Sequence, residues 1–397
     1  MRHVVILGAT GSIGVSTLSV LAEHPDKFSV LALTANNNVE LLYQQCLMVR
    51  PAFAAMQDAI AAKQLAQRLQ AAGINTEVLS GAEGLIALAS HPQADIVMAA
   101  IVGAAGLLPT LAAVEQGKTV LLANKEALVM TGELFMQKVA THGARLLPID
   151  SEHNAIFQCL PAHLQQQCYK ADLSAQGIAR LLLTGSGGPF LQRPLDSFKQ
   201  ISVAEAVAHP NWNMGQKISV DSATMMNKGL EFIEARWLFN CPAAAIQVVI
   251  HPQSIIHSMV QYTDGSVLAQ LGQPDMRTPI AHALAYPERI SSPVAALDFF
   301  NLPAFSFSAP EPERYPNLYL AIAACSAGQG ATTALNAANE VAVAAFLAQQ
   351  LSFTGIHRVN ESCLNRFLGY HAQSLDDILA LDAEARAFAK QQLRVLS

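Results

Sequence analysis

Charge is scarce in this chain of 397 residues: Asp, Glu, Lys and Arg make up 14%, where an average soluble protein carries about 25%. Hydrophobic residues make up 52%. A disordered chain has the opposite balance, so disorder is excluded, and there is ample apolar material for sizeable cores. At roughly 150 residues per domain, two or three domains are expected. Clusters of Lys and Arg are lacking and the net charge is −6, which argues against nucleic-acid binding. A local anion site built from backbone amides and a few placed cations remains open. Zinc patterns are also lacking. None of Cys46, Cys159, Cys168, Cys241, Cys325 and Cys363 stands in a C-x-x-C pair or a zinc spacing. Scattered cysteines in a chain this long fit a reducing cytoplasm and structural or incidental roles.

A clean membrane span is absent as well. The apolar run after Arg2 holds Gly8, Thr10, Gly11, Ser12 and Gly14 and has no good A-x-A cleavage site, so it does not read as a signal peptide. Ile96 to Val114 carries no charge and is long enough to cross a bilayer. Gly103, Gly106 and Pro109 interrupt it, acids flank both ends, and no basic anchor is close. A buried strand, Ile96 to Val102, followed by a small-residue helix accounts for it better, so no membrane partner is expected.

What is present begins with apolar runs alternating with helical patterns. Val4 to Leu7, Phe28 to Leu33, Ala52 to Met56, Ile96 to Val102, Thr119 to Leu122 and Leu146 to Ile149 read as strands. This α/β alternation predicts a doubly wound parallel sheet over residues 1–150. Residues 151–285 read as an α+β domain. Leu181 to Leu183, Gln247 to Ile250, Ser258 to Tyr262 and Val267 to Leu271 are its strands, and Asp264-Gly265 marks a hairpin turn. Dense prolines make 286–316 a linker. The Ala-rich remainder, 317–397, reads as a small α-helical domain.

Five stretches can carry chemistry. Gly8-Ala9-Thr10-Gly11-Ser12-Ile13-Gly14 lies between the first strand and a helix, where amides and a helix N-terminus suit a pyrophosphate. Its spacing is not the standard G-x-G-x-x-G, and a plain tight turn is the alternative. After the second strand, where an acid would hold a ribose, stand Asn36, Asn37 and Asn38, with neither an acid for NAD nor a base for NADP. Asn124, Lys125 and Glu126 follow a strand, at the edge where ligands bind, or simply start a solvated helix. Asp150 and Glu152 stand two apart at a domain junction. Such carboxylates repel unless a cation or proton intervenes, and their hard oxygens suit Mg²⁺ or Mn²⁺, with His153 as a competing ligand or a packing residue.

Placed on one helix, Asp221 to Glu234 buries Leu230, Ile233 and Trp237, turns Asn227 and Glu234 into that face, and sets Glu231 at its edge beside Lys228. Inward carboxylates need partners, and a cation shared with Asp150 and Glu152 would be one; internal salt bridges are the alternative. Thr184-Gly185-Ser186-Gly187-Gly188-Pro189 suits an anion nest, in which Ser186, Ser222, Asn227 and Lys228 could together hold a phosphate. His209 to Gly215, with Trp212, reads as a lid.

GATGSIG at Gly8, ANKE at Ala123, DSEHNAIFQ at Asp150, LLTGSGGPF at Leu182, HPNWNMG at His209, SVDSATMMNKGLE at Ser219, HPQSIIHSMV at His251 and PDMRTPIAHAL at Pro274 span essentially the whole chain. They closely resemble the 1-deoxy-D-xylulose 5-phosphate reductoisomerase family. The resemblance implies a Rossmann-like NADPH-binding domain, a catalytic domain, a linker and a helical domain, in a homodimer. It implies the second step of the non-mevalonate route to isoprenoids, in the cytoplasm, with a phosphosugar substrate and Mg²⁺, Mn²⁺ or Co²⁺. Carried over by motif, Thr10, Gly11, Ser12, Ile13, Asn38, Asn124, Glu126 and Gly215 match cofactor contacts, and Asn36-Asn37 completes the cofactor turn. Asp150, Glu152 and Glu231 match metal ligands. Lys125, Ser151, Ser186, His209, Ser222, Asn227 and Lys228 match substrate contacts, Glu152 and Glu231 join them, and Lys125 stands with the three acids as catalytic. Family members usually show Gly and then a basic residue where this chain has Asn36-Asn37.

Three rivals differ in class. A metal-dependent phosphosugar isomerase without redox chemistry would not need the glycine turn. An NADP-linked semialdehyde dehydrogenase should place a reactive Cys near the cofactor domain's junction. A non-catalytic dinucleotide sensor would not need three convergent acids.

Overall fold

The computed structural model describes residues 1–208 and 215–396, which divide into two compact units. The first gathers Met1–Ala127, Phe135–Asn154 and Asp275–Ala295. Its seven strands are β1 (Arg2–Leu7), β2 (Phe28–Ala35), β3 (Phe53–Met56), β4 (Glu77–Ser80), β5 (Ile96–Ala99), β6 (Thr119–Leu122) and β7 (Arg145–Pro148). They form one parallel sheet in the order β4-β3-β2-β1-β5-β6-β7. Val4, Val5, Ile6, Leu7, Val97 and Met98 are fully buried, as expected of strands covered on both faces. The chain winds outward from β1 to β4 and returns to β5 at β1's other side, so the strand order reverses between β1 and β5.

Two strands depart from expectation. β4 gives no sequence signal because only Val78 and Leu79 are apolar in a half-exposed edge strand. β5 stops at Ala99 rather than Val102: beyond it, the carbonyls of Ile101 and Gly103 accept from the Asn124 side chain instead of a neighbouring strand. The charge-free stretch is thus β5, a turn and the helix Leu107–Glu115. No helix among the described residues is long and apolar enough to cross a membrane.

Residues 275–295 group with this first unit, although the sequence places them at the end of the second domain and the start of the linker. Specific contacts hold them there. The Arg2 guanidinium donates to the Leu284 carbonyl, His24 Nε2 lies 2.9 Å from the Ser291 carbonyl, and the Asn154 amide donates to His282 Nδ1 at 3.2 Å.

The second unit gathers Leu128–Leu134, Ala155–Pro274 and Ala296–Ser397. Its strands β8 (Ile178–Gly185), β9 (Ile246–Ile250), β10 (Ile256–Tyr262) and β11 (Val267–Leu271) lie in the order β11-β10-β8-β9. β8 and β9 are parallel and the other pairs antiparallel. The expected hairpin joins β10 to β11, with Gly265 at φ +90°. The later half of the proline-rich stretch is laid along β9: Ser308 and Ile250 exchange backbone hydrogen bonds at 2.9 and 3.0 Å, and His251 stacks on Phe307.

The C-terminal helices Pro316–Ala327, Gln329–Leu347, Phe353–Phe367 and Leu375–Leu396 follow. They do not form a core of their own. Ala334, Ala338, Phe346, Ile356 and Val359 share one with Phe190, Ile201, Val220 and Ala223. The single helix expected over Asp221 to Glu234 is two, Gln216–Ala223 and Met226–Leu238, joined at Met225 with φ 58°. The second is buried almost all round from Lys228 to Ala235, so the one-faced pattern was too narrow. Trp237 is only partly buried; its ring lies over Gly132, where a Cβ would come within 2.2 Å of the indole nitrogen.

Candidate active site

In the first unit the glycine turn follows β1 at the point where the strand order reverses, the position at which open α/β sheets bind ligands. Gly8 has φ +83°, and a Cβ there would lie 2.7 Å from the Ala100 carbonyl oxygen of the next strand's exit. Gly14 is tighter still, with backbone atoms of Gly8 and Ala9 at 2.5 Å from a Cβ. The helix Ser12–Ala22 that follows has Gly11 at its N-cap and no side-chain cap, so its first amides are left to a ligand. Thr10 and Ile13 are partly exposed, and Gly11 and Ser12 are exposed. The neighbouring turn after β2 is tied to this one: Ala9 N–H donates to the Thr34 carbonyl at 2.7 Å, and Gly8 N–H to Thr34 Oγ1 at 3.0 Å. Asn36 and Asn37 are exposed on it, while the side chain of Asn38 caps the helix Val39–Val49 by accepting from Leu41 N–H.

Two strands further along the same edge, Asn124 is buried and fully engaged. Its Nδ2 donates to Ile101 and Gly103, and its Oδ1 accepts from Ala127 N–H at 2.8 Å, which locks the loop after β5. Glu126, in the same first turn, is 4% exposed. Lys125 and Asp150 leave the adjacent strands β6 and β7, and Lys125 Nζ lies 2.6 Å from Asp150 Oδ2. Burial alone would raise the Asp150 carboxyl's pKa. Lys125, by charge and hydrogen bond, together with His153 and a smaller contribution from Glu152, outweighs burial and holds the group well below the usual carboxylate range. Ser151 Oγ donates to Glu152 Oε2 at 2.6 Å in the first turn of the helix Ser151–Cys159.

In the second unit β8 runs into the loop Gly185-Ser186-Gly187-Gly188. Gly187 and Gly188 have φ of +84° and +69°, conformations that a side chain would strain. Ser186 Oγ accepts from Gly188 N–H at 3.1 Å. A Cβ on Gly188 would lie 2.7 Å from the Ser222 carbonyl, and one on Gly185 would lie 2.8 Å from Lys228 Cε. The loop therefore packs against both Ser222 and Lys228. Lys228 is buried and contacts Glu231, to which Asn227 also donates. Ser186, Ser222, Asn227, Lys228 and Glu231 are thus gathered in one unit. Gly215 caps the helix Gln216–Ala223. His209 and the rest of the expected lid through Met214, Trp212 included, lie outside the described residues.

One candidate went unassigned in the sequence. His257 on β10 is 8% exposed, and Thr184 Oγ1 of β8 donates to its carbonyl at 2.6 Å. Burial, with a smaller push from Lys228, holds its pKa below the ordinary value despite hydrogen bonds with the backbone of Gln273 and Gly272. The pairing register of β10 on β8 brings it there, and that register is not written locally. The cysteines offer no nucleophile: all six are buried, unpaired thiols, and burial pushes Cys46, Cys168, Cys241 and Cys363 up to about 12.

Three family models match the chain: 1-deoxy-D-xylulose 5-phosphate reductoisomerase over residues 4–132, its C-terminal domain over 146–239, and the DXP reductoisomerase C-terminal domain over 271–388. The 1-deoxy-D-xylulose 5-phosphate reductoisomerase of Aeromonas hydrophila is 60% identical over 397 residues, covering 100% of both chains. A crystal structure of DOX-P reductoisomerase in complex with NADPH, fosmidomycin and magnesium superposes with a TM-score of 0.96 at 49% identity, covering 100% of this chain and 99% of that one. The Zymomonas mobilis reductoisomerase in complex with NADPH superposes with a TM-score of 0.91 at 46% identity, covering 100% of both. With a glycine turn at a reversal of strand order, a lysine–aspartate pair on the same edge and full-length identity of this order, the chain belongs to the 1-deoxy-D-xylulose 5-phosphate reductoisomerase family.

Proposed function

We propose that this chain catalyses the NADPH- and divalent-metal-dependent rearrangement and reduction of 1-deoxy-D-xylulose 5-phosphate to 2-C-methyl-D-erythritol 4-phosphate. One observation carries the reading: a dinucleotide-type glycine turn and the Lys125–Asp150 pair share one edge of one sheet. A phosphosugar isomerase without redox chemistry does not need the first. A semialdehyde dehydrogenase needs a thiolate, and the buried thiols do not supply one.

The residues take roles by their chemistry. The glycine turn, with Thr10, Gly11, Ser12 and Ile13, receives the pyrophosphate of NADPH. Asn36, Asn37 and Asn38 face its adenosine end, and Asn124, Glu126 and Gly215 its remainder. Asp150 and Glu152 of the first unit and Glu231 of the second are ligands of Mg²⁺ or Mn²⁺. Oxygen-only donors suit these hard ions, and Asp150 stays ionised at any working pH. When bound, the ion supplies Lewis-acid charge to neighbouring substrate oxygens. Lys125 balances Asp150 and, with Ser151 and Glu152, orients the reacting end. Ser186, Ser222, Asn227 and Lys228 hold the phosphate, assisted by His209 of the lid, and this remote binding aligns the carbon skeleton for rearrangement. The branched aldehyde so formed accepts a hydride at its carbonyl carbon and a proton at its oxygen, which yields the alcohol.

The chain works as a homodimer in the cytoplasm. β11 is an edge strand with Val267 and Leu268 about half exposed, and Phe299 and Phe300 of the same unit are 67% and 100% exposed. Apolar edges of this kind need cover, and a second copy supplies it. NADPH oxidation that depends on both 1-deoxy-D-xylulose 5-phosphate and Mg²⁺, and stops on chelation, tests the activity. Oxidation without the phosphosugar, or none with it, would refute it.

A further inference from the structure

From the packing of the second unit we infer that Tyr315 is a positioning residue for phosphate recognition, holding the Gly185–Gly188 loop in its binding shape from the far side of the site. The inference rests on the reading that this loop, Ser222, Asn227 and Lys228 hold the substrate phosphate. Tyr315 immediately precedes the helix Pro316–Ala327, over 120 residues from the loop in sequence. Its ring is buried to 2% exposure, and its hydroxyl donates to the Gly187 carbonyl at 2.9 Å. A Cβ on Gly187 would sit 3.0 Å from that hydroxyl, while one on Gly188 would sit 2.7 Å from the Ser222 carbonyl. Two consecutive left-handed glycines are thus pressed between Tyr315 on one side and the helix bearing Ser222 on the other.

Both jaws are themselves held by the C-terminal part of the chain. Arg314, the neighbour of Tyr315, donates to the carbonyls of Phe190 and Arg193 at 2.9 and 2.7 Å, fixing the chain as it leaves the loop. On the other side, Asn339 donates to Asp221, the residue before Ser222, at 2.8 Å, and Asn360 donates to both Asn339 and Asn317. All four are fully or almost fully buried, so the chain of amides is a fixed strut rather than a surface contact. Burial pushes the Tyr315 hydroxyl up to about 12, so it remains a donor at every working pH. A loop of glycines has wide conformational freedom, and these contacts remove it before the ligand arrives.

The test is Tyr315→Phe in the full chain, which deletes one hydroxyl and keeps the ring. With NADPH and Mg²⁺ present, KM for the phosphosugar and the inhibition constant of inorganic phosphate are measured, alongside KM for NADPH and thermal stability. Losing one buried hydrogen bond should raise the first two roughly three- to tenfold. KM for NADPH should stay within twofold. Lys228→Ala, assayed in parallel, should weaken inorganic phosphate more strongly. If Lys228→Ala weakens phosphate and Tyr315→Phe does not, the positioning role is wrong and the phosphate reading stands. If neither variant changes phosphate inhibition, the phosphate reading itself fails. Equal losses for phosphate and NADPH in Tyr315→Phe would mark a general folding role and overturn the inference.

Discussion

The two proposed anion cradles of this protein are built from opposite materials. In the first unit the proposed cradle is backbone: glycines at positions 8, 11 and 14 and a helix without a side-chain cap, in a turn whose own residues Gly8 to Gly14 include no Lys or Arg. In the second it is side chain: hydroxyls, an amide and a buried ammonium carried on a loop and two helices. A backbone cradle is specified by what is missing, since Gly8 and Gly14 lie where a Cβ would strike a backbone carbonyl. A side-chain cradle is specified by position, and it needs struts such as Tyr315 and Asn339 from elsewhere in the chain. The first should therefore fail when atoms are added, and the second when they are removed.

The acids should show the largest effect, because on the proposed reading they hold the metal ion. Asp150→Asn or Glu231→Gln should lower turnover about a thousandfold, equivalent to about 4 kcal/mol, while NADPH binding persists. Turnover near wild type in chelator-treated buffer would remove the metal assignment. Next, Gly14→Ala should break the backbone cradle, since its Cβ would enter a 2.5 Å gap against Gly8 and Ala9. Relief of such a clash costs about 3 kcal/mol. NADPH affinity should fall about a hundredfold, with inhibition by inorganic phosphate unchanged. An unaltered NADPH titration would show that the turn is only a packing turn.

The same contrast explains what was legible beforehand. The parallel sheet announced itself because its strands are uninterrupted apolar runs, and the tight turn after β1 because glycines mark it. β4 stayed hidden because an edge strand with two apolar residues has no signature. The break at Met225 was also hidden: nothing in Thr224-Met225-Met226 demands a left-handed residue, and packing imposes it. Ser186 and Lys228 were legible as phosphate-binding types, but their meeting depends on β8 and the buried helix converging. Tyr315 and His257 gave no signal, because a strut is defined only by the atom it supports.

pH sharpens the comparison at a smaller scale. In the first unit His282 is buried, accepts from the Asn154 amide at Nδ1, and is held down to about 4, by burial first and by Arg289 second. Its folded pKa lies below the unfolded value, so its contribution is complete above about 6.5 and is lost as pH falls toward 4. By pH 4.5 this should amount to about 2 kcal/mol. His282→Gln keeps a group that can accept from Asn154 but cannot titrate, so its thermal midpoint should fall less between pH 7 and 4.5 than that of the wild type. Parallel falls would mean that other groups govern acid lability.

The smallest effect concerns the uncharged turn Asn36-Asn37-Asn38 after β2. Of the three asparagines after β2, the side chain of Asn38 is committed to capping a helix, which leaves Asn36 and Asn37 exposed on the turn where the proposed reading puts the adenosine end. Neither carries charge, and the nearest acid along the chain, Glu40, is paired with Arg68 at 2.7 Å. On the proposed reading, a 2′-phosphate would meet the Asn36 and Asn37 amides, which donate hydrogen bonds but carry no charge. A charged hydrogen bond contributes roughly 1.5–3 kcal/mol against about 1 for a neutral one. Asn37→Arg should therefore tighten NADPH binding by on the order of tenfold, about 1.4 kcal/mol, and leave NADH nearly unchanged. Titrating both cofactors against both proteins decides it. A gain shared equally by NADPH and NADH, or no gain, would place Asn37 away from the 2′-phosphate. A gain confined to NADPH would show that a backbone cradle can hold a pyrophosphate unaided but needs a side chain to distinguish the phosphate beyond it.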